Sequence, residues 1–280
     1  MENNRVDADP TLIARYGVAG YPVAHSRSPQ VHMAAYAELG IAAEYQRLPI
    51  PAELFEETVR ALPGSGFAGI NVTIPHKEAA LRVADDASES ARSIGAANTL
   101  TFDGKSIRAD NTDAPALICE LNEITAIDGV NVLVLGAGGT ARAAAWSLRD
   151  AGADVAVWNR TVERGRQLAS DLGVSSVTSS GGGADYDVLV NTAAVGMDAS
   201  ESEESVLESL GLRLDELPPT TVVVHFVYRG DGSPLRNAAH RLGMPTVDGR
   251  DLLARQAALS FEIWFKRPAP LPIMRAALDS

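Results

Sequence analysis

The sequence predicts an α/β protein of two domains, on three observations. Short β-branched runs alternate with helical stretches along most of the chain, the pattern of parallel strands joined by crossover helices. One strand runs into a glycine-rich turn that opens a helix, as in dinucleotide-binding folds. The alternation breaks once, at residues 100–108, where Phe102-Asp103-Gly104-Lys105 holds an Asp-Gly step between two extended segments and reads as a hairpin. The N-cap-rich run Asp110-Asn111-Thr112-Asp113 then starts a helix, and the domain boundary is expected there.

In the first part, strands are expected at 15–19, 45–48, 68–72 and 98–102. Helices between them are expected at 29–39, where Pro29 suits a first turn, at 52–61 and at 77–84. A helix at 113–121 follows the N-cap run. Strands at 131–135, 154–158, 188–191 and 222–226 then alternate with helices at 140–151, 162–172 and 234–242. A last helix, 250–265, is followed by prolines at 268, 270 and 272. The Gly/Ser-rich stretch 179–185 and the acidic stretch 198–216 read as surface loops without chemistry. No repeat of 20–50 residues is visible.

Composition bounds the function. The 280 residues are 46% hydrophobic and 21% charged, which suits a globular chain and excludes extended disorder. The single cysteine, Cys119, excludes an internal disulfide framework and a cysteine zinc site, and no metal centre is expected. There is neither a membrane-length apolar run nor a signal-peptide pattern at the start, so a cytoplasmic protein is expected. A net charge of −12, from 36 acidic and 24 basic residues, argues against nucleic acid and anionic membranes as partners. The basic residues are 21 arginines and three lysines, Lys77, Lys105 and Lys266. Arginine does not readily give up a proton, so each lysine is a candidate for proton chemistry.

The most readable segment is Val132-Leu-Val-Leu-Gly136-Ala137-Gly138-Gly139-Thr140-Ala141-Arg142. Gly136 permits the tight turn, Gly138 lets backbone approach a pyrophosphate, and Ala141 keeps the helix against the strand. Free N–H groups at the helix start then face phosphate oxygens. The next strand ends in Asn159-Arg160-Thr161, with Arg164 one turn on and no acid for a ribose 2′-hydroxyl. Guanidinium groups suit a 2′-phosphate, so NADP is favoured over NAD.

Four polar clusters precede this segment. In Gly20-Tyr-Pro-Val-Ala-His25-Ser26-Arg27-Ser28-Pro29-Gln30-Val31-His32, two hydroxyls flank a strand–helix junction and suit a carboxylate, although Ser28 also fits a simple N-cap. In Gly69-Ile-Asn71-Val-Thr73-Ile-Pro75-His76-Lys77, a lysine opens a helix, where the macrodipole disfavours it, so a local role is expected. The third cluster is Gly95-Ala-Ala-Asn98-Thr99 and the fourth Asn111-Thr112-Asp113.

These clusters, in this order ahead of a Gly-Ala-Gly-Gly turn, resemble the shikimate dehydrogenase family. The likeness spans roughly residues 15–265 and includes Asn191-Thr-Ala-Ala-Val-Gly196-Met197, Val227-Tyr228 and Gly249…Gln256-Ala-Ala…Phe261-Glu262…Trp264. The resemblance implies NADP-linked reduction of the 3-keto group of 3-dehydroshikimate to shikimate. It implies a substrate domain of residues 1–112 plus 250–280 and a Rossmann-type NADP domain of residues 113–249, in a monomer or homodimer. Lys77 and Asp113 would be the acid/base pair. Ser26 and Ser28 would hold the substrate carboxylate, and Thr73, Asn98, Asp113 and Gln256 the ring hydroxyls, with Asn71 and Tyr228 close by. Gly136, Ala137, Gly138, Gly139, Thr140 and Ala141, with Asn159, Arg160, Thr161 and Arg164, would hold NADP. Phe226 and Gly249 would meet the nicotinamide through their backbone. A quinate or aminoshikimate dehydrogenase and a non-catalytic ligand-sensing relative are the alternatives. Retention of both serines and of Lys77 with Asp113 favours the shikimate enzyme.

Departures from the family pattern are Met33 after the histidine, His225 before the Val-Tyr pair, Gly230 after it, Asp110 and Ala114 around Asn-Thr-Asp, and Ala193-Ala194 in a usually hydroxyl-rich pair. None removes a candidate catalytic group. His225 and Gly230 are expected to bear on the nicotinamide side of the cleft.

Overall fold

The computed structural model describes residues 13–180, 186–229 and 232–279. Among these residues the strands form two six-stranded sheets. The first contains β1 (Ala14–Gly20), β2 (Ala43–Pro49), β3 (Phe67–Val72), β4 (Asp86–Ala87), β5 (Thr99–Asp103) and β6 (Ser106–Asp110), in the order β2-β1-β3-β5-β6-β4. β1 is parallel to both neighbours, as is β4 to β6, whereas β5 runs antiparallel to β3 and β6. The expected Asp-Gly hairpin makes β5 and β6 antiparallel, pairing Asp103 with Ser106 across its turn.

The second sheet contains β7 (Asn131–Leu135), β8 (Asp154–Trp158), β9 (Ser175–Ser176), β10 (Val188–Asn191), β11 (Val222–His225) and β12 (Thr246–Val247). It is wholly parallel, in the order β12-β11-β10-β7-β8-β9. β7 is apolar from Val132 to Leu135 because both faces are covered. Val132 and Val134 enter one core, and Leu133 and Leu135 enter the other.

The helices are α1 (Ser28–Glu38), α2 (Phe55–Ala61), α3 (Lys77–Val83), α4 (Glu89–Ile94), α5 (Asp113–Asn122) and α6 (Gly139–Asp150), then α7 (Val162–Leu172), α8 (Glu203–Leu210), α9 (Pro234–Arg241), α10 (Gly249–Phe265) and α11 (Leu271–Ala276). On one face of the first sheet, Val59, Ala80 and Ala91 of α2, α3 and α4 pack with Ile70 and Leu100. On the other, Tyr36 of α1, Phe261 of α10 and Met274 of α11 pack with Tyr16 and Val18. The last helices thus return to the first sheet. α5 and α10 join the two halves: Leu117, Leu121 and Leu252 belong to the second sheet's core, whereas Ala254 and Phe261 belong to the first's.

Several elements differ from the sequence reading. The acidic stretch 198–216 is not a surface loop throughout. It forms α8, capped by the Ser202 hydroxyl, and buries Val206, Leu210, Leu212 and Leu214 against the second sheet. The acidic residues on either side of that run, Glu201, Glu203, Glu204, Asp215 and Glu216, mask the apolar face. The proline-rich end contains α11, with a proline in its first turn, a position that lacks an intrahelical donor bond anyway. The helix expected at 52–61 opens as a 3₁₀ turn, Ala52–Leu54, before α2. In the Gly/Ser-rich stretch, residues 181–185 lie outside the described residues, and Ser180 is buried with its hydroxyl donating to Leu210 O at 2.5 Å. α4 and the two-residue strands β4, β9 and β12 are too short to show a period. No helix among the described residues is long and apolar enough to cross a membrane.

In a doubly wound sheet, ligands meet the carboxyl ends of strands where the strand order reverses. The reversal falls between β7 and β10 in the second sheet and between β1 and β3 in the first. Residues following all four of these strands line one shared cleft. Because α10 fastens the returning chain to the first sheet through Phe261, which is 0% exposed, Phe261→Ala is expected to lower unfolding free energy by about 3–5 kcal/mol. Urea unfolding measures this; a change below about 1 kcal/mol would contradict the packing role.

Candidate active site

The glycine turn is formed as its residue types require. Gly136 has φ of +120°, and a Cβ there would lie 2.5 Å from Thr192 Oγ1, so only glycine fits between the ends of β7 and β10. A Cβ on Gly138 would meet nothing within 4 Å. That open cradle, at the N-terminus of α6, leaves room for a pyrophosphate to approach backbone N–H groups. Ala141 is fully buried beneath the turn. After β8, Asn159 Nδ2 donates to Thr161 O at 2.8 Å and shapes the entry to α7. Arg160 and Arg164 are exposed, and neither guanidinium has a partner among the described residues. Two unpaired cations beside an open phosphate cradle fit a 2′-phosphorylated dinucleotide.

Across the cleft, Lys77 opens α3 and donates from Nζ to Asp113 Oδ2 at 2.6 Å and to Thr140 Oγ1 at 2.8 Å. The Lys77 and Asp113 side chains are 12% and 8% exposed, so water screens the pair little. Asp113 is the first residue of α5, but Asn111 caps that helix, accepting from the N–H groups of Asp113 and Ala114 at 3.1 and 3.2 Å. The carboxylate of Asp113 is thereby left to side chains. Its other oxygen accepts from Asn98 Nδ2 at 2.9 Å, and the same amide group reaches Gln256 Oε1 at 3.3 Å.

At the other end, Ser26 and Ser28 are both buried at the start of α1. The Ser26 hydroxyl donates to Ser28 Oγ at 3.2 Å. Ser28 is not the N-cap, which is Arg27, so its hydroxyl is not spent on the helix. The Tyr228 hydroxyl accepts from the Arg27 N–H at 3.3 Å, joining the segment after β11 to this loop. Burial raises the Tyr228 pKa above its ordinary value, so the phenol stays protonated. Gly249 packs against the end of β11: a Cβ would lie 2.7 Å from Val227 O and 2.9 Å from Phe226 O.

Ser26, Ser28, Lys77 and Asp113 line one open-mouthed cleft between the two sheets. Every candidate substrate and acid/base residue lines it, as do Thr140, Phe226 and Gly249. Gly136, Ala137, Gly138, Gly139, Ala141, Asn159, Arg160, Thr161 and Arg164 lie outside this lining, as expected for groups that would hold the distal part of a long cofactor.

The sequence reading missed the groups that hold these residues. The Tyr45 hydroxyl donates to Asn71 Oδ1 at 2.8 Å, and Asn71 Nδ2 donates to Ser260 Oγ at 2.9 Å across 189 residues of sequence. No local pattern signals such partners. It also missed Thr192 and Met197 in the cleft wall, although both lie in the Asn-Thr-Ala-Ala-Val-Gly-Met run that carries part of the family likeness. Of the departures, Ala193 and Ala194 face the cleft and Met33 is exposed on α1. Gly230 lies outside the described residues. His225 is buried below the cleft wall, and burial lowers its pKa to about 4, so it is neutral near pH 7. Its Nδ1 lies 2.9 Å from Asn191 Nδ2, and Asn191 Oδ1 accepts from Ala193 N at 3.0 Å. His225 therefore meets the cleft through the turn that Asn191 holds.

Family models agree with this geometry. Residues 18–100 match the shikimate dehydrogenase substrate binding domain, 120–211 match shikimate/quinate 5-dehydrogenase, and 249–278 match the shikimate 5′-dehydrogenase C-terminal domain. A shikimate dehydrogenase (NADP(+)) of Anaeromyxobacter sp. (strain K) is 39% identical over 277 residues, covering 95% of this chain and 96% of that protein. The chain belongs to the shikimate dehydrogenase family. The fold agrees as well: the shikimate dehydrogenase of Aquifex aeolicus superposes with a TM-score of 0.87 at 29% identity, covering 98% of this chain and all of that one. The shikimate 5-dehydrogenase of Thermus thermophilus, crystallised with NADP(H) and shikimate, superposes with a TM-score of 0.83 at 34% identity, covering 95% and 98%.

As a family member with unpaired Arg160 and Arg164, the protein is expected to prefer NADP strongly. Arg160→Ala should raise the KM for NADP on the order of tenfold, the loss of one hydrogen bond to a charged group, and leave that for NAD nearly unchanged. Steady-state kinetics with both cofactors tests this; equal KM values in the unaltered protein would contradict it.

Proposed function

We infer that this chain is an NADP-dependent shikimate dehydrogenase, reversibly reducing 3-dehydroshikimate to shikimate in aromatic amino-acid (chorismate) biosynthesis. The observation that carries the reading is the largely buried Lys77–Asp113 pair in a cleft whose far end presents two buried serine hydroxyls. A substrate with a ring ketone at one end and a carboxylate at the other matches that polarity.

Ser26 and Ser28, with the N–H groups at the start of α1, bind the carboxylate without a full counter-charge. Thr73, Asn98 and Gln256 orient the ring hydroxyls, with Asn71 and Tyr228 closing the floor and the carboxylate end. The backbone N–H groups of Gly136 to Ala141 would cradle the cofactor phosphates, Asn159 to Arg164 would hold the 2′-phosphate, and the Phe226 and Gly249 backbone would border the nicotinamide. When bound, NADPH supplies the hydride. Hydride addition builds negative charge on the keto oxygen, which needs a proton donor within hydrogen-bond reach. Two N–H bonds of the Lys77 ammonium are committed to Asp113 and Thr140, leaving the third to protonate that oxygen. Asp113 orients the ammonium and accepts from the neighbouring ring hydroxyl. In the reverse direction, neutral Lys77 takes the hydroxyl proton.

The substrate domain is taken as residues 1–112 plus 250–280 and the NADP domain as 113–249, in a cytoplasmic monomer or homodimer. A panel of shikimate and quinate with NADP and NAD tests the function, and shikimate with NADP is expected to give the highest kcat/KM. Greater turnover of quinate would assign the chain to that paralogue, and no turnover of either would favour a ligand-sensing relative. Lys77→Ala is expected to lower kcat about 10²–10⁴-fold with NADP affinity unchanged. Near-normal turnover would move the proton to another source.

A further inference from the structure

The glycine turn contains one glycine that the phosphate site does not require. In Gly136-Ala137-Gly138-Gly139-Thr140-Ala141, the dinucleotide pattern fixes positions 136, 138 and 141 and leaves 139 free. Nor does the backbone ask for it, because the φ of Gly139 is not in the left-handed range. The neighbour across the cleft does. A Cβ on Gly139 would stand 2.6 Å from Lys77 Cβ and 3.2 Å from Lys77 Cδ. The next residue, Thr140, accepts from Lys77 Nζ at 2.8 Å.

The contact is part of a wider docking of the first turn of α6. Arg142 donates from Nε to Ile94 O at 2.7 Å, and its guanidinium lies where a Cβ on Gly95 would be, 2.7 Å from Nη2. Ala97 N in turn donates to Lys77 O at 2.8 Å, tying the end of that loop to the lysine backbone. The stem of Lys77 is thus flanked by Gly139 and its ammonium fixed at two points. A lysine side chain carries about 2 kcal/mol of rotamer entropy, and holding it against one carboxylate alone would leave the ammonium free to swing about that contact.

We propose that Gly139 and Thr140, besides opening the cofactor helix, are positioning residues for the proton donor Lys77. Gly139 admits the lysine stem and Thr140 takes one of its N–H bonds, so the turn that cradles the cofactor also aims the ammonium. The proposal rests on the reading of Lys77 as the donor.

The test compares Thr140→Val, Thr140→Ser and Gly139→Ala, each alone, and Thr140→Val again in a Lys77→Ala background. It reads kcat, the KM for shikimate, and the NADP dissociation constant by calorimetry. Thr140→Val is expected to lower kcat about ten- to a hundredfold, as for one hydrogen bond to a charged group, with NADP affinity within about twofold. Thr140→Ser should restore kcat, and Gly139→Ala should lower kcat at unchanged NADP affinity. With Lys77 already removed, Thr140→Val should cost nothing further. A Thr140→Val protein that loses NADP affinity but keeps kcat at saturating cofactor would overturn the proposal. So would losses that multiply with that of Lys77→Ala. If Lys77→Ala lowers kcat and Thr140→Val does not, the positioning role alone fails; if Lys77→Ala keeps its kcat, the assignment of the donor fails with it.

Discussion

An ammonium and a carboxylate 2.6 Å apart, at the seam between two sheets, are the contact around which this molecule is arranged. Such a pair is a poor stabiliser when buried, because desolvation costs several kcal/mol per ion and attraction repays it only with good geometry and further hydrogen bonds. Those bonds are present: Asn98 on the free carboxylate oxygen and Thr140 on the ammonium. They come from different parts of the chain. Lys77 follows β3, Asp113 begins α5, Asn98 precedes β5 and Thr140 belongs to the cofactor turn. Keeping the pair therefore requires the first sheet, the connecting helix and the second sheet to be in register with one another.

The architecture supplies that register through its two reversals of strand order. Each opens a crevice at the carboxyl ends of parallel strands, and both crevices line the same cleft. One brings the side chains proposed to hold the substrate and the other the glycine turn proposed to cradle the cofactor phosphates. α10 contributes side chains to both cores, and α5 packs in the second sheet's core while placing Asp113 against Lys77, which fixes how the crevices meet. Gly249 shows how tight that join is, since a Cβ there would collide with three consecutive carbonyl oxygens at the end of β11.

Much of this is legible in the sequence, for identifiable reasons. The core strands of both sheets are short, strongly apolar and punctuated by Gly or Asn, and the glycine turn has a residue-by-residue rationale. α8 is hidden because acidic residues flank its apolar positions, Glu201, Glu203 and Glu204 before Val206 and Asp215 and Glu216 after Leu214, so composition outweighs periodicity. α11 is hidden because prolines read as a stop even where one serves a first helical turn. The candidate site residues can be named because each sits in a local motif. The supports of the site cannot: Tyr45, Ser260 and His225 act through partners distant in sequence. Asn111 is instructive, since the run Asn111-Thr112-Asp113 announces a cap without saying which residue caps.

Central to the proposed function is that Lys77 and Asp113 act as one unit on the substrate's keto oxygen. A double-mutant cycle of Lys77→Met and Asp113→Asn, read in kcat with NADP affinity as the control for folding, tests it most directly. Residues that act together give strongly non-additive losses. The double variant is expected to be no slower than the slower single variant. Losses that simply multiply, at unchanged NADP affinity, would show two independent contributions and contradict the claim.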